Sequence, residues 1–130
     1  MSIKEKLSTL GLTLPTAAAP VAAYVPAVKS GNLVFTAGQL PVVDGKLVKE
    51  GKVGREVTAE DAKELAQICV LNALAAISLV ADLDQIERVV RVGGFVNCAP
   101  GFIAPFTTPG IAIKPGAQLT KPPTLTTLST

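Results

Sequence analysis

YVPAVKSGNLVFTAGQLP, running from Tyr24 to Pro41, reads as two strands and a tight turn that end against a proline. The runs 22–29 and 33–37 flank Ser30-Gly31-Asn32, the pattern of a β-hairpin. The second run closes on Ala37-Gly38-Gln39, small residues and an amide at the end of a strand expected to be buried. Two explanations fit: close packing, or room for a ligand to reach bare backbone.

Downstream of Pro41, Asp44-Gly45 is a strong turn signal, with a short strand expected at Lys46-Leu47-Val48 and a loop from Gly51 to Gly54. Thr58 is a good N-cap, and Glu60 and Asp61 suit the positive end of a helix dipole. Ala62, Leu65, Cys69, Ala73 and Ile77 then recur at helical spacing, predicting a helix over 58–80. Its polar residues Lys63, Glu64 and Gln67 thin out towards the C-terminus. The helix is therefore nearly apolar all round, as expected beneath a sheet or at a subunit contact. Residues 82–84 connect it to IERVVRVGGFVN, predicted as a buried strand over 86–97 with Val90, Val92 and Val96 on one side and Arg91, Phe95 and Asn97 on the other. The Gly93-Gly94 pair inside that run implies a bulge or a close backbone approach. Upstream, Ser2 and Glu5 have capping-box spacing, and Ile3, Leu7 and Leu10 share a face, so a helix over 3–10 should stop at Gly11. Thr13 to Pro20 reads as an extended connector. The order predicts an α+β layer.

Composition narrows the chemistry. One domain of 130 residues buries a core without disulfides, and Cys69 and Cys98 fit a reducing cytosol. Cys69 should be core; Cys98 should be partly exposed. Despite 48% apolar residues, the richest segment, 62–81, is interrupted by Lys63, Glu64, Gln67, Asn72 and Ser78. No membrane span is expected, and the N-terminus lacks an apolar signal core, which points to a cytoplasmic protein. A net charge of +2 gives no nucleic-acid footprint. The absence of histidine removes Ser-His and Cys-His nucleophiles and His-ligated zinc. What remains is chemistry on carboxylates, Lys/Arg, Tyr24, amides and backbone dipoles, with no metal or cofactor expected.

The motifs GNLVFTAGQLPVVDGKLVKEGKVG and VTAEDAKELAQICVLNALAAISLVADLDQIERVVRVGGFVNCAPGF occur in an order that resembles the Rid family (reactive intermediate deaminases, also called YjgF), over residues 1–102. The resemblance implies a chorismate-mutase-like mixed sheet with helices packed on one face. It also implies homotrimers with ligand clefts between subunits. Active members hydrolyse enamines and imines to 2-keto acids and ammonia, without metal or organic cofactor. An older family label is endoribonuclease L-PSP, to which a histidine-free, weakly charged chain lends no support.

By position, the resemblance makes Tyr24 the cleft tyrosine and places Ala37, Gly38 and Gln39 where backbone groups hold the ligand. Asn97 falls on a strand lining the same cleft. Gly38 and Tyr24 are thus the expected catalytic positions, with Ala37, Gln39, Asn97 and Arg91 expected to bind an imino or keto acid. Each has a plainer explanation: packing for Tyr24, the turn before Pro41 for Gly38, a structural hydrogen bond for Gln39, a strand end for Asn97 and an ion pair for Arg91.

The C-terminal part departs from the family. Residues 103–130 are a Pro/Thr-rich arm holding five of the ten prolines, with no Asp or Glu after Glu87. A shifted reading frame or a fused segment produces so abrupt a change. Active members carry a later arginine that clamps the substrate carboxylate, then a glutamate that orients water. Here no arginine follows Arg91 and no glutamate follows Glu87. The alternative is therefore a relative without catalysis that binds a keto acid or acts in regulation.

Overall fold

Two hairpins of different design face one long helix in the computed structural model, which describes residues 1–17 and 24–102. The first pairs β1 (Ala27–Ser30) with β2 (Leu33–Thr36) in antiparallel register, Ala27 opposite Thr36 and Ser30 opposite Leu33. Its two-residue turn has positive φ only at Gly31, +55°, the first turn position, where glycine adopts it without strain. The second pairs β3 (Val42–Val43) with β4 (Lys46–Leu47). Here both turn residues are left-handed, Asp44 at +51° and Gly45 at +77°, the type I′ geometry that Asp-Gly favours.

The helices are α1 (Ile3–Thr9) and α2 (Ala59–Ile77), followed by a short 3-10 turn, Leu83–Gln85. Both helices start with the reciprocal bonds of a capping box. In α1 the Glu5 N–H donates to Ser2 Oγ at 3.2 Å, and the Ser2 N–H donates to Glu5 Oε2 at 2.7 Å. In α2 Thr58 and Asp61 do the same, at 3.0 and 2.9 Å. The Asp61 carboxylate also accepts from Lys49 Nζ at 2.5 Å, which ties the segment after β4 to the start of α2. Far along the chain, the Ile3 N–H donates to Asp84 Oδ1 at 2.6 Å, docking α1 on the 3-10 turn.

The architecture is α+β: two helices with small antiparallel sheets. Helix α2 lies against β1, β2 and β3. Ala75 and Ala76 are buried, and they share one stripe with the partly covered Leu65, Ile68, Cys69 and Asn72; Ala62, Leu71, Ala73, Leu74 and Ile77 are also partly covered. On the first hairpin, Ala27 and Val34 share a face and are the covered residues. Val28, Leu33 and Phe35 share the other face and are about half exposed, at 51, 47 and 53%. A second cluster sits at the N-terminal end of α2, where Val53, Val57 and Cys98 are buried against Ala62, Leu65, Val96 and Phe102. Among the described residues, no helix is long and apolar enough to cross a membrane.

Four expectations are corrected. The run 86–97 forms no ladder; Val90, Val92 and Phe95 are 73, 60 and 74% exposed. Its alternating pattern is that of a strand, but a strand exists only when a neighbour takes its backbone groups. Apart from the Ile86 N–H, which closes the 3-10 turn onto Leu83 O, its backbone tie among the described residues comes at the end, where the Val53 N–H donates to Asn97 O at 2.9 Å and the Ala99 N–H returns to Val53 O at 2.9 Å. Cys98 lies between these bonds and is drawn inside, 2% exposed, instead of partly open. Cys69 is half-buried, and burial pushes its thiol pKa up. Finally, α2 stops at Ile77, with Leu79 and Val80 in turns. The expected arm, 103–130, and the end of the Thr13–Pro20 connector lie outside the described residues.

Gly54 combines a left-handed backbone with surroundings that leave no room for a side chain: its φ is +87°, and a Cβ there would strike the Phe102 ring; Gly51, at +134°, is likewise closed off, by Glu56. Gly54→Ala should cost about 2 kcal/mol or more in urea unfolding, from left-handed strain plus the displaced ring. The Lys49 ammonium, with the Thr58 N–H and hydroxyl, lowers the Asp61 pKa from 3.8 to about 2. A lowered carboxylate pKa stabilises the fold above its ordinary value and loses that contribution as pH falls through the folded value. Stability should therefore decline between pH 3.8 and about 2. Asp61→Asn should flatten that decline in acid titrations followed by circular dichroism, and added salt should reduce it, since the pair is exposed.

Candidate functional site

The end of β2 is fixed on both sides and bare in the middle. Beyond the last paired residues, the Ala37 N–H donates to Pro26 O at 2.9 Å. The pairing goes no further: the Gln39 N–H makes no bond to Tyr24 O, and 37–40 lie outside the ladder. The Gln39 side chain turns back, its Nε2 donating to Ala37 O at 3.1 Å. Around Pro41 the chain makes a three-residue turn, with the Val42 N–H donating to Leu40 O at 2.8 Å. The Asn72 amide on α2 donates to Leu40 O and to Val42 O, both at 3.0 Å. Pro41 O accepts from the Val48 N–H at 3.0 Å. The carbonyls of this segment are thus well occupied. In contrast, the N–H groups of Gly38 and Gln39 donate to no protein acceptor among the described residues.

Gly38 is exposed, its φ lies outside the left-handed region, and a Cβ built on it would meet nothing within 4 Å. Neither the turn before Pro41 nor packing among the described residues requires glycine there. What the missing side chain leaves is open backbone with two adjacent N–H donors. Donors of this kind stabilise negative charge on an approaching oxygen or nitrogen.

The hairpin places Ala37, Gly38 and Gln39 in succession at the end of β2; Tyr24, 45% exposed, lies three residues before β1 and makes no hydrogen bond to them among the described residues. The hairpin does not gather Arg91 and Asn97 with them through any hydrogen bond or ion pair among the described residues. Arg91 is exposed and makes no ion pair there. Asn97 uses its carbonyl on Val53, at the other cluster, and its side chain is exposed. Gln39 takes the structural role that its residue type allows. No group of three His, Cys, Asp or Glu among the described residues is placed to hold a metal ion. Two shallow concavities lie beside α1, one lined by Lys4, Leu7 and Leu14 and the other by Ile3, Ser78 and Asp84, away from the β2 end.

Sequence reasoning missed Asn72, treating it only as a break in an apolar run. The signal was available: Ile68, Cys69, Ala75 and Ala76, at i−4, i−3, i+3 and i+4, are all on the covered stripe. A lone amide in an apolar seam needs partners, and the nearest bare carbonyls are those around Pro41.

Known proteins share the family and the fold of this chain. A family model described as "YjgF/chorismate_mutase-like, putative endoribonuclease" matches residues 4–108. Protein TCP17 of Trypanosoma cruzi is 36% identical over 101 residues, which are 77% of this chain and 63% of that protein. Among solved structures, an Agrobacterium tumefaciens protein of unknown function is 41% identical with a TM-score of 0.68, covering 78% of this chain and 63% of its own. A Shewanella oneidensis structure described as a "putative endoribonuclease" is 29% identical with a TM-score of 0.73, covering 79% of this chain and 69% of its own. The chain thus spans less than two thirds of the length of the first relative and of the first of these structures. With most of its length matched by the family model and its fold shared with these structures, the chain belongs to the YjgF/chorismate-mutase-like family.

Proposed function

We propose that this protein hydrolyses reactive 2-imino or enamino acids to 2-keto acids and ammonia, at a cleft completed by a second copy of the chain in a cytoplasmic homotrimer. The observation that carries the proposal is the Gly38–Gln39 backbone: two adjacent N–H groups without acceptors among the described residues, at a glycine that no constraint within those residues demands. In the reaction, water adds to the imine carbon and the nitrogen takes up protons. The resulting carbinolamine releases ammonia and leaves the ketone. The N–H groups of Gly38 and Gln39 hold the polarised substrate, with Ala37 beside them, and Tyr24 forms the wall of the cleft. The chain's own groups supply the chemistry, without metal or organic cofactor. Arg91 and Asn97 join the site only if 86–97 pairs as a further strand, which would also complete the mixed sheet of the family. The endoribonuclease description finds no support in a chain with no histidine and a net charge of +2.

Assembly is supported by the open face of the first hairpin. Val28, Leu33 and Phe35 lie together on the side away from the covered Ala27 and Val34, an apolar patch that a monomer would leave in water. The second reading, a keto-acid binder without turnover, is favoured by one specific observation: no arginine follows Arg91 and no glutamate follows Glu87. A carboxylate clamp and a water-orienting acid are then both lacking from the C-terminal segment, and backbone donors alone bind better than they catalyse.

Ammonia release from 2-iminopropanoate should exceed the buffer rate, and Gly38→Val should reduce the enzymatic part by about 10²-fold or more, because its branched side chain covers the donors. Saturable pyruvate binding without turnover would move the assignment to the binder, and neither response would overturn both readings. For the assembly, light scattering should give a trimer mass that Phe35→Lys reduces to that of a monomer. An unchanged mass would show that this face is not the contact.

A further inference from the structure

We propose that Asn72 is the positioning residue of the Gly38–Gln39 strand end, an inference that rests on the function proposed above. Gly38 has no side chain to hold its backbone, so the direction of the two bare N–H groups is set by what fixes the chain on either side. On the near side the fixed point is the Ala37 N–H bond to Pro26 O, 2.9 Å. On the far side it is Leu40, whose carbonyl accepts from Asn72 Nδ2 at 3.0 Å. The same nitrogen donates to Val42 O at 3.0 Å, so one amide group grips both ends of the turn around Pro41. The pairing of Val42 with Leu47 and the Val48 N–H bond to Pro41 O hold the far side of that turn. Leu40 itself is otherwise tied, among the described residues, only by the Val42 N–H, a bond that closes three residues, and proline contributes no N–H. Asn72 is the fourteenth residue of the 19-residue α2, well inside its hydrogen-bonded length. Both of its amide hydrogens are thereby used to carry the rigidity of the longest helix to the site. It touches no substrate. Its effect is on aim, and small misplacements of a binding group weaken catalysis far more than they weaken folding.

The test compares full-length Asn72→Leu, of similar volume but without donors, with Asn72→Asp, whose carboxylate would face two carbonyls, and with Ala66→Gly at an exposed position of α2 as a destabilised control. Turnover of 2-iminopropanoate is measured well below the unfolding midpoints, together with the amide resonances of Gly38 and Gln39 in ¹H–¹⁵N spectra. Asn72→Leu should lower kcat by about 10- to 100-fold with a smaller change in KM. Asn72→Asp should be no better, Ala66→Gly should retain kcat, and only the Asn72 variants should shift the Gly38 and Gln39 amides. Unchanged kcat in Asn72→Leu, or a loss shared equally by Ala66→Gly, would overturn the assignment. If the unaltered protein shows no turnover, the proposed reaction fails by itself, and the spectra with a pyruvate titration decide the role of Asn72. Shifted Gly38 and Gln39 amides with weakened pyruvate binding then support it. Unmoved amides overturn it.

Discussion

A nineteen-residue helix with an apolar seam has to be covered, and the cover that α2 finds dictates the rest of the described chain. At its start, Ala62 and Leu65 pack on Val53, Val57 and Cys98. Further along, its body lies against the two hairpins, where Asn72 reaches the turn between them. Isolated two-stranded hairpins are marginal in water, so each depends on this helix for its persistence. The cover is one-sided, however. Burial of Ala27 and Val34 leaves Val28, Leu33 and Phe35 outside, and the apolar run 86–97 has no ladder to join.

What the sequence made legible was local. Ser2 with Glu5, and Thr58 with Asp61, announce helix starts because the bonds that make a cap link residues three apart. Gly31 and Asp44-Gly45 announce turns because only a few residue types tolerate left-handed backbone. Features fixed by distant partners were harder to see. Residues 86–97 carry a strand's alternation, but alternation names a face and not a neighbour. Cys98 looked open beside Asn97 because nothing nearby in sequence reveals that Val53 bonds on both sides of it.

The candidate site divides along the same line. Ala37 to Gln39 fall at the end of β2 because a hairpin is a local structure that turn residues announce. Arg91 and Asn97 depended on long-range pairing, and among the described residues no hydrogen bond or ion pair joins them to that strand end. Asn72 was readable in principle, as a polar residue at the centre of an apolar stripe. It was passed over because interruption of a hydrophobic run was weighed as evidence about membranes instead of about partners. The two functional readings share the strand end and differ only in whether a charged group completes it, so the backbone donors are common ground between catalysis and binding.

The bond from the Ile3 N–H to Asp84 Oδ1 has a consequence for synthesis. It joins residues 81 positions apart, so α1 leaves the ribosome long before its docking site exists. At roughly 5–20 residues per second the wait is on the order of 4–16 s. For that interval the seven-residue helix is too short to persist on its own capping box, and Leu7 has no pocket to enter. Helix α1 is therefore ordered later than its own synthesis by that wait, and a nascent chain passes through an interval in which this segment is open to chaperones and proteases.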